Sequence, residues 1–411
     1  NSGLNHLVPS IDNAWLATSL ITIREYAEAN GHATLAQKAD DILMDMDFSL
    51  WYHTDTHRFN WGGVEDPKGG TQADYYSNEN RIINFVARAL GDLDSAEYAL
   101  SLAALTQPTD SYDGITVEKI AYDGSFFTYA GPALFIREMQ TSYGEKTLNP
   151  FTQAQIQYAE NNSYDAWGFS DCYDIEGGDY IQQGSLPAGL GSPETQAGLI
   201  SPHASTLALI TNYETDAIEN LEYLASTYEC AYDDDYGFLD SVLTNSSSAN
   251  SGKCSYRFSA LNQEWIFLSL VNHNNDFIWD YFYRDEGVQT AHTEMYPLEN
   301  DDLTSAKTVT SLRFSHEIYT LGATTADDDP EVSTCNIGQG QVTLWYKYTP
   351  NKDTAISINT ADANYDTFVA VWTKPIDTLE LVACNDNGID QATLALQMEK
   401  DVTYYIEIGQ P

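Results

Sequence analysis

The apolar residues of this 411-residue chain change their spacing once, near residue 303, and this change constrains the fold more than any other feature. Before it, apolar residues recur at three- and four-residue intervals, which is the spacing of amphipathic helices. After it, they alternate with polar residues, which is typical of half-buried strands. The sequence therefore predicts two domains, a mainly α domain over 1–303 and a β-sandwich domain over 304–411.

Segments with the helical pattern are separated by long loops rich in Gly, Asp, Tyr and Trp. The predicted helices are 11–30, 34–46, 77–90, 94–105, 132–139, 150–160, 201–212, 214–228 and 261–283. Ser77 is the predicted N-cap of the third helix, and Gly91 is its predicted stop. Helices that alternate with such loops predict an α/α toroid whose mouth is lined by loops.

Short segments of period two, separated by turn signals, fill the last hundred residues. The predicted strands are 342–348, 355–358, 367–372, 379–384, 393–398 and 403–408. Strands of this length and spacing predict a small β-sandwich.

The charge balance excludes several classes of partner. The chain has 61 acidic and 18 basic residues, a formal net charge of −43. Binding to nucleic acid or to anionic lipid needs clustered Lys and Arg, so neither partner is expected. No apolar run reaches the roughly 18 residues of a membrane span. The chain begins with Asn1 and shows no signal peptide, so we expect a processed chain or a fragment.

The five cysteines predict two disulfides and one free thiol, Cys172. Cys230 and Cys254 bracket a polar loop, and Cys335 and Cys384 both fall in the C-terminal region. This usage favours a secreted, extracellular or cell-surface protein. No C-x-x-C pair is present, so a zinc site is not expected.

Two sequons, at Asn161 and Asn245, are candidate glycosylation sites if the source glycosylates.

Seven motifs together resemble a known family. They are IDNAWLATSLITIREYA (11–27), YYSNENRIINFVARALGD (75–92), DGSFFTYAGPALF (123–135), WGFSDCYD (167–174), LISPHASTLALI (199–210), YGFLDSV (236–242) and FLSLVNHNNDFIWDYFYRDEGVQTA (267–291). Their order resembles the glycoamylase-like domain of the bacterial endo-β-1,2-glucanases, glycoside hydrolase family 144. This resemblance implies an (α/α)6 barrel that hydrolyses β-1,2-linked glucan.

Two features of the chain depart from that family. Family members carry further barrel helices ahead of the first motif, so we expect a barrel that is incomplete at its N-terminus or completed otherwise. In the family a helix opens with Asp-x-x-Glu, and Pro9 and Asp12 occupy those positions here. The Glu of the family's Asn-Glu pair is present as Glu79, after Asn78.

The C-terminal region resembles the bacterial pre-peptidase C-terminal (PPC) domain. The residues that carry this resemblance are LWYKYTP (344–350), NYDTFVAVW (364–372), LVACNDN (381–387) and TYYIEIG (403–409). It implies a β-sandwich, appended to secreted hydrolases, that adheres to polymers or spaces other domains.

Glycoside hydrolysis needs one protonated carboxyl group as acid and one ionised carboxylate as base or nucleophile. Glu79 is the candidate proton donor. Asp12 is the candidate that activates water, directly or through waters and sugar hydroxyls. Asp12 would also raise the pKa of Glu79 as a like-charged neighbour. The alternative is that both are helix-start residues that make capping contacts.

Sugar rings also need flat apolar surfaces and polar side chains that bind hydroxyl groups. The candidate substrate-binding residues are Trp15, Trp61, Tyr75, Asn78, Trp167, Asp171 and His203. Trp15 can alternatively pack in the core, and His203 can be a core histidine bonded to backbone.

No cofactor is expected, apart from a weak calcium candidate. Asp386, Asn387 and Asp390 form a short oxygen-rich segment, for which a plain turn is the alternative.

The sequence thus predicts a secreted glycoside hydrolase that binds an oligo- or polysaccharide. The alternative is a catalytically weak or inactive glycan-binding or structural protein of a filament-like surface assembly or a homo-oligomer.

Overall fold

A computed structural model describes residues 7–326, 329–332, 335, 337–375, 378–386 and 391–411. The chain divides into two units, Asn1–Tyr296 and Pro297–Pro411. The first is mainly helical, and the second is built mainly from strands.

Within the described residues, eleven α-helices all lie in the first unit. They are α1 (Ser10–Ala29), α2 (Ala33–Met44), α3 (Asn80–Ala89), α4 (Ser95–Ala104), α5 (Phe126–Ala130), α6 (Asn149–Asn161), α7 (Pro202–Leu207), α8 (Glu214–Thr227), α9 (Ala260–Asn275), α10 (Phe277–Phe282) and α11 (Glu286–Met295). Shorter turns of helix are Phe48–Trp51, Pro132–Leu134, Gly144–Leu148, Ala208–Ile210 and Leu303–Ser305.

The helices follow one another around a ring. Helix α1 packs on α3 and on α10, α10 packs on α9, α9 on α7, and α7 on α5. Arg81 closes the ring by joining α3 to α5. Its buried guanidinium donates to the carbonyl oxygens of Thr128 (2.9 Å) and Tyr129 (2.5 Å) on α5. The same guanidinium is paired with the buried carboxylate of Glu138 at 2.8 and 2.9 Å. The predicted α/α toroid is confirmed.

Three predicted helix boundaries are wrong. The predicted helix 261–283 is broken at Asp276, whose φ of 54° ends α9 before α10 begins. The predicted helix 132–139 is a single short turn, Pro132–Leu134. Helix α3 begins at Asn80 rather than at the predicted cap Ser77, and the side chain of Asn78 instead accepts a bond from the backbone N–H of Glu79.

Among the described residues of the first unit, ten short strands form hairpins and bridges within the loops. They are β1 (Tyr52–His53), β2 (Arg58–Phe59), β3 (Asp110–Tyr112), β4 (Ile115–Val117), β5 (Cys172–Tyr173), β6 (Tyr180–Ile181), β7 (Leu199–Ile200), β8 (Tyr232–Asp233), β9 (Gly237–Phe238) and β10 (Val242–Leu243). They pair as β1–β2, β3–β4, β5–β6, β7–β10 and β8–β9.

The second unit contains two packed sheets. Its strands are β11 (Lys307–Thr308), β12 (Gln341–Tyr348), β13 (Thr354–Asn359), β14 (Phe368–Thr373), β15 (Glu380–Asp386), β16 (Thr393–Met398) and β17 (Tyr404–Gln410). One sheet has the order β11-β12-β17-β14-β15, and the other is the pair β13-β16. Leu344 and Val369 of the larger sheet share a core with Leu394 and Met398 of the smaller one. The predicted β-sandwich is confirmed, and each predicted strand agrees within two residues at either end.

Both predicted disulfides are confirmed. Cys230 is bonded to Cys254, and Cys335 is bonded to Cys384. Cys172 is a buried free thiol. In the described part of the chain, no helix combines the length and the apolar character needed to cross a membrane.

Candidate active site

Glu79 lies directly before α3, where two neighbours fix its position. Trp15 of α1 donates its indole N–H to Oε1 of Glu79 at 2.7 Å. The backbone N–H of Glu79 donates to the Asn78 side chain at 2.6 Å. Burial raises the pKa of Glu79 to about 7, and the negative charges of Asp12 and Asp123 add to this shift against the opposing Trp15 hydrogen bond. The carboxyl group therefore keeps a large protonated fraction at neutral pH.

Asp12 lies in the first turn of α1 and is exposed. The start of this helix is attached to the loop that carries Trp61, because the N–H of Ser10 donates to the Trp61 carbonyl at 3.0 Å. Gly62 makes this approach possible, because a Cβ at this position would stand 1.9 Å from the Val8 carbonyl oxygen. Its φ of 92° is also one that glycine adopts more readily than other residues. The half-buried Trp61 is thereby held beside the helix start that carries Asp12.

Two further carboxyl groups, Asp123 and Asp171, are buried beside Glu79. Asp123 accepts the backbone N–H of Ser125 at 3.1 Å, and Asp171 accepts that of Gln183 at 2.8 Å. Burial raises the pKa of both groups. For Asp171 the charge of Asp123, and to a smaller extent that of Glu79, adds to the effect of burial and raises the pKa to about 7. Since the charges of Asp123 and Glu79 disfavour ionisation of Asp171, and that of Asp123 disfavours ionisation of Glu79, Glu79 and Asp171 each keep a protonated fraction at neutral pH.

His203 has the environment of a core histidine. Its Nδ1 lies 2.5 Å from Ser201 Oγ, and its Nε2 lies 2.8 Å from Ser170 Oγ. Ser201 donates its only hydroxyl hydrogen to the Asp240 carbonyl at 2.6 Å, so Nδ1 must carry the imidazole hydrogen and Nε2 must accept. Burial lowers the pKa of His203 to about 3, so the ring is neutral. Both ring nitrogens of His203 are bonded to serine hydroxyl groups. The role of His203 in binding sugar stays a prediction.

Ser170 connects this histidine to the carboxyl cluster. Its hydroxyl lies 3.1 Å from Ser125 Oγ, which in turn accepts the backbone N–H of Asp171 at 2.9 Å. His203 therefore supports the segment that carries Asp171 through two serine hydroxyl groups.

Asp240 and Tyr180 are site residues that the sequence did not single out. Asp240 is buried, and Oδ2 accepts the N–H of Tyr173 at 2.6 Å while Oδ1 accepts the side chain of Asn262. Burial raises the pKa of Asp240 to about 6. Burial raises the pKa of the Tyr180 phenol, and the negative charges of Asp171 and Asp240 add to this shift. Asp123 and Asp240 both stand inside motifs quoted above, and that is the one sequence signal that could have found them.

Trp15 belongs both to the core and to the site. Its ring centroid lies 5.0 Å from that of Trp265 and 5.9 Å from that of Phe135, and its N–H reaches Glu79. Trp167 is buried, and its backbone exchanges hydrogen bonds with the Asn220 side chain at 3.2 and 2.8 Å. The structure thus gives Trp15 contact with a carboxyl group and Trp167 a place in the core.

Tyr75 lies partly exposed ahead of Glu79, with its ring 5.8 Å from that of the exposed Tyr122. The structure therefore brings Asp12, Trp15, Glu79 and Asp171 together, with Tyr75 and Asn78 on the segment that leads to Glu79.

The remaining predicted sites lie elsewhere. Asn161 is exposed at the last residue of α6, where its amide donates to the Tyr112 hydroxyl at 3.2 Å. The half-buried Asn245 donates weakly to the Ala197 carbonyl at 3.4 Å.

Of the calcium candidates, Asp386 ends β15, while Asn387 and Asp390 lie outside the described residues. Among the residues that are described, no group of three or more His, Cys, Asp and Glu side chains is placed to hold a metal ion.

Known proteins resemble the first unit. The family model described as "Putative glucoamylase" matches residues 73–286, more than half of the 411-residue chain. No curated protein matches the chain.

Several solved structures share its fold. The endo-β-1,2-glucanase from Chitinophaga pinensis, in complex with sophorotriose and glucose, superposes with a TM-score of 0.58 at 16% identity, over 70% of this chain and 71% of that one. A putative glucoamylase from Bacteroides fragilis gives a TM-score of 0.59 at 20% identity, over 70% of each chain. The endo-β-1,2-glucanase from Talaromyces funiculosus, in complex with sophorose, gives 0.55 at 13% identity, over 71% of this chain and 62% of that one.

These likenesses confirm the predicted (α/α)6 fold class and the resemblance of the first unit to the glycoamylase-like domain of the endo-β-1,2-glucanases. The PPC resemblance of the second unit stays a prediction. Because the family model spans more than half of its residues, the chain belongs to the glucoamylase-like family that this model defines.

Proposed function

We propose that the protein is a glycoside hydrolase that cleaves glucan by acid–base catalysis, with Glu79 as the proton donor. The observation that carries this proposal is the carboxyl group of Glu79, which is held by the Trp15 indole and surrounded by other carboxyl groups. A proton donor must be protonated at the working pH and must lose its proton readily. A pKa near 7 meets both requirements.

Asp12 is the proposed base. It is exposed at the start of α1, so it reaches solvent, and its charge acts on Glu79. A base that activates water has to remain ionised and has to reach that water. Asp123 and Asp171 are buried and bonded to backbone N–H groups, which suits them to shaping the charge around Glu79.

The proposed substrate is β-1,2-linked glucan. Two of the structural relatives are endo-β-1,2-glucanases in complex with β-1,2-linked glucose units, sophorotriose and sophorose. A neutral polymer is also compatible with a chain of net charge −43, which repels anionic polysaccharides.

We place the protein outside the cytoplasm, where disulfides persist. The two disulfides support this location. The second unit is proposed to act as a PPC-like module that adheres to polymers or spaces the barrel from other domains.

The test is the release of oligosaccharides from linear β-1,2-glucan by the parent chain and by Glu79→Gln. The matched control is Glu222→Gln, which changes an exposed glutamate on α8 in the same way. We expect products from the parent and from the control and at least a hundredfold loss in Glu79→Gln, because general acid catalysis contributes about that much or more.

Retention of glucan by a folded parent that releases no product would instead support the glycan-binding alternative. Full activity in Glu79→Gln would remove Glu79 from the mechanism.

A further inference from the structure

Three exposed aromatic side chains lie on two neighbouring segments of the chain that adjoin Asp240 of the candidate active site. Tyr256 is 79% exposed, Tyr236 is 68% exposed and Phe258 is 42% exposed. The rings of Tyr236 and Phe258 lie 5.4 Å apart with an interplanar angle of 47°. We propose that these three residues, the aromatic platform, bind the part of a long neutral glucan chain that extends beyond the candidate active site. This inference rests on the proposed function, because it assigns the platform the same substrate.

Backbone hydrogen bonds and a disulfide hold together the two segments that carry the platform. The N–H of Asp240 donates to the Arg257 carbonyl at 2.9 Å, and the N–H of Ser255 donates to the Ser241 carbonyl at 3.1 Å. The segment that carries Tyr256 and Phe258 therefore runs beside the segment that carries Tyr236. The disulfide Cys230–Cys254 joins the two segments covalently. Rings held in this way lose little further freedom when a ligand binds.

Tyr256 has an unusual backbone conformation for a bulky residue. Its φ is 51°, in the left-handed region that Gly and Asn adopt far more readily. Its side chain is largely exposed, so burial of the ring does not compensate for this conformation. Strained residues that persist in this way concentrate at functional sites. A tyrosine therefore stands where an asparagine would fit the backbone better, which points to a use for the exposed ring.

Side-chain contacts lead from the platform segment towards the carboxyl cluster. The guanidinium of Arg257 lies 4.4 Å from the centre of the Tyr173 ring and donates to the Gly178 carbonyl at 2.9 Å. The Tyr173 ring in turn lies 5.3 Å from that of Tyr180. The phenol of Tyr180 interacts electrostatically with Asp171 and Glu79. Side-chain contacts thus lead from Arg257, the residue between Tyr256 and Phe258, through Tyr173 to Tyr180, whose phenol is close enough to Asp171 for the two groups to interact electrostatically.

The charge around the platform selects a neutral ligand. Asp233, Asp234 and Asp235 directly precede Tyr236 and are exposed. Such a run of carboxylates repels anionic polysaccharides, nucleic acid and anionic lipid. Exposed aromatic rings offer flat apolar faces, and the C–H faces of pyranose rings stack on them. A neutral glucan matches both properties.

The test compares long and short substrates. The variants are Tyr236→Ala combined with Phe258→Ala, and Tyr256→Asn, which keeps the backbone conformation while removing the ring. Tyr223→Ala is the matched control, because it removes a partly exposed tyrosine on α8. For each protein, kcat/KM is measured on linear β-1,2-glucan of high mass and on a short β-1,2-linked oligosaccharide. Retention of the long polymer in a native gel is measured in parallel on the Glu79→Gln background.

If a sugar face gains about what an aromatic pair gains, the double variant should lose about tenfold in the ratio of long-chain to short-chain kcat/KM. We expect kcat/KM on the short substrate to be unchanged, retention of the polymer to fall, and Tyr256→Asn to be at least as stable as the parent. Tyr223→Ala should match the parent in every measurement.

The outcomes separate this inference from the proposed function. Hydrolysis with an unchanged ratio and unchanged retention in the platform variants would overturn the inference and leave the hydrolase standing. A parent that retains glucan through the platform without cleaving it would support the inference and remove the hydrolase. Absence of both hydrolysis and retention, or platform-dependent binding of a protein or a vesicle instead, would also overturn the inference.

Discussion

Replacing Glu79 with Gln should stabilise the protein at alkaline pH. The pKa of Glu79 is raised from 4.5 to about 7, so its proton is bound more tightly in the folded chain than in the unfolded one. The stability that comes from this proton is fully present below pH 4.5 and is lost as the pH rises through about 7. The lost stability amounts to about 3 kcal/mol at a pH well above 7, since one pKa unit corresponds to about 1.4 kcal/mol.

Glutamine carries no charge, so Glu79→Gln escapes this loss. Relative to the parent, its free energy of unfolding should be higher at pH 8 than at pH 5 by about 2.5 kcal/mol. Removing the charge of Glu79 also eases the ionisation of Asp171, which acts in the same direction. The assay is urea denaturation followed by tryptophan fluorescence at both pH values, with Glu222→Gln as the control that should show no such difference. An equal effect of Glu79→Gln at pH 5 and pH 8 would refute the raised pKa and, with it, the physical basis for Glu79 as the proton donor.

Three further changes test other parts of the structure. Trp15→Phe removes the hydrogen bond that favours the ionised form of Glu79, so the alkaline limb of the pH profile of kcat/KM should move to higher pH by about half a unit to one unit. Glu138→Gln leaves a fully buried guanidinium unpaired and should lower the free energy of unfolding by about 3–5 kcal/mol, measured in urea. Replacing Cys230 and Cys254 by Ser opens a loop with a sequence separation of 24 and should cost about 3 kcal/mol by the same measurement.

The second unit was predictable from sequence because turn signals separate its short strands, and because strands such as β13 (Thr354–Asn359) alternate partly buried with exposed residues along their whole length. Strand β12 (Gln341–Tyr348) lies within one residue of its predicted bounds, although four consecutive residues at its centre, 343–346, are buried. The helical unit was less regular. The apolar pattern of 261–283 is interrupted by the polar run 272–276, and the helix breaks there at Asp276. The side chain of Asn272 holds the break, because it donates to the Leu134 carbonyl at 2.7 Å and accepts the N–H of Ile278 at 3.0 Å. The Leu134 carbonyl belongs to a distant part of the chain, so the sequence could not show which contact holds the break.

The candidate site was only partly predictable for a related reason. Glu79 and Asp12 could be selected because the family resemblance pointed to them among 61 acidic residues. Asp123 and Asp240 also stand inside the family motifs, but the motifs alone did not distinguish them from other acidic residues, because burial distinguishes them and burial is a property of the folded ring. A sequence records the carboxyl groups, whereas their separation from water depends on segments far apart along the chain.

The bonds of His203 have a consequence for how the site responds to acidity. Because the imidazole stays neutral above a pKa of about 3, the hydroxyl groups of Ser170 and Ser201 keep a single donor–acceptor order across the range in which Glu79 and Asp171 titrate. The support beneath the site is therefore insensitive to pH, while the carboxyl groups that it carries are sensitive. Geometry and charge are controlled by different residues, so the protonation state of the cluster can change without a change in the hydrogen bonds that hold it.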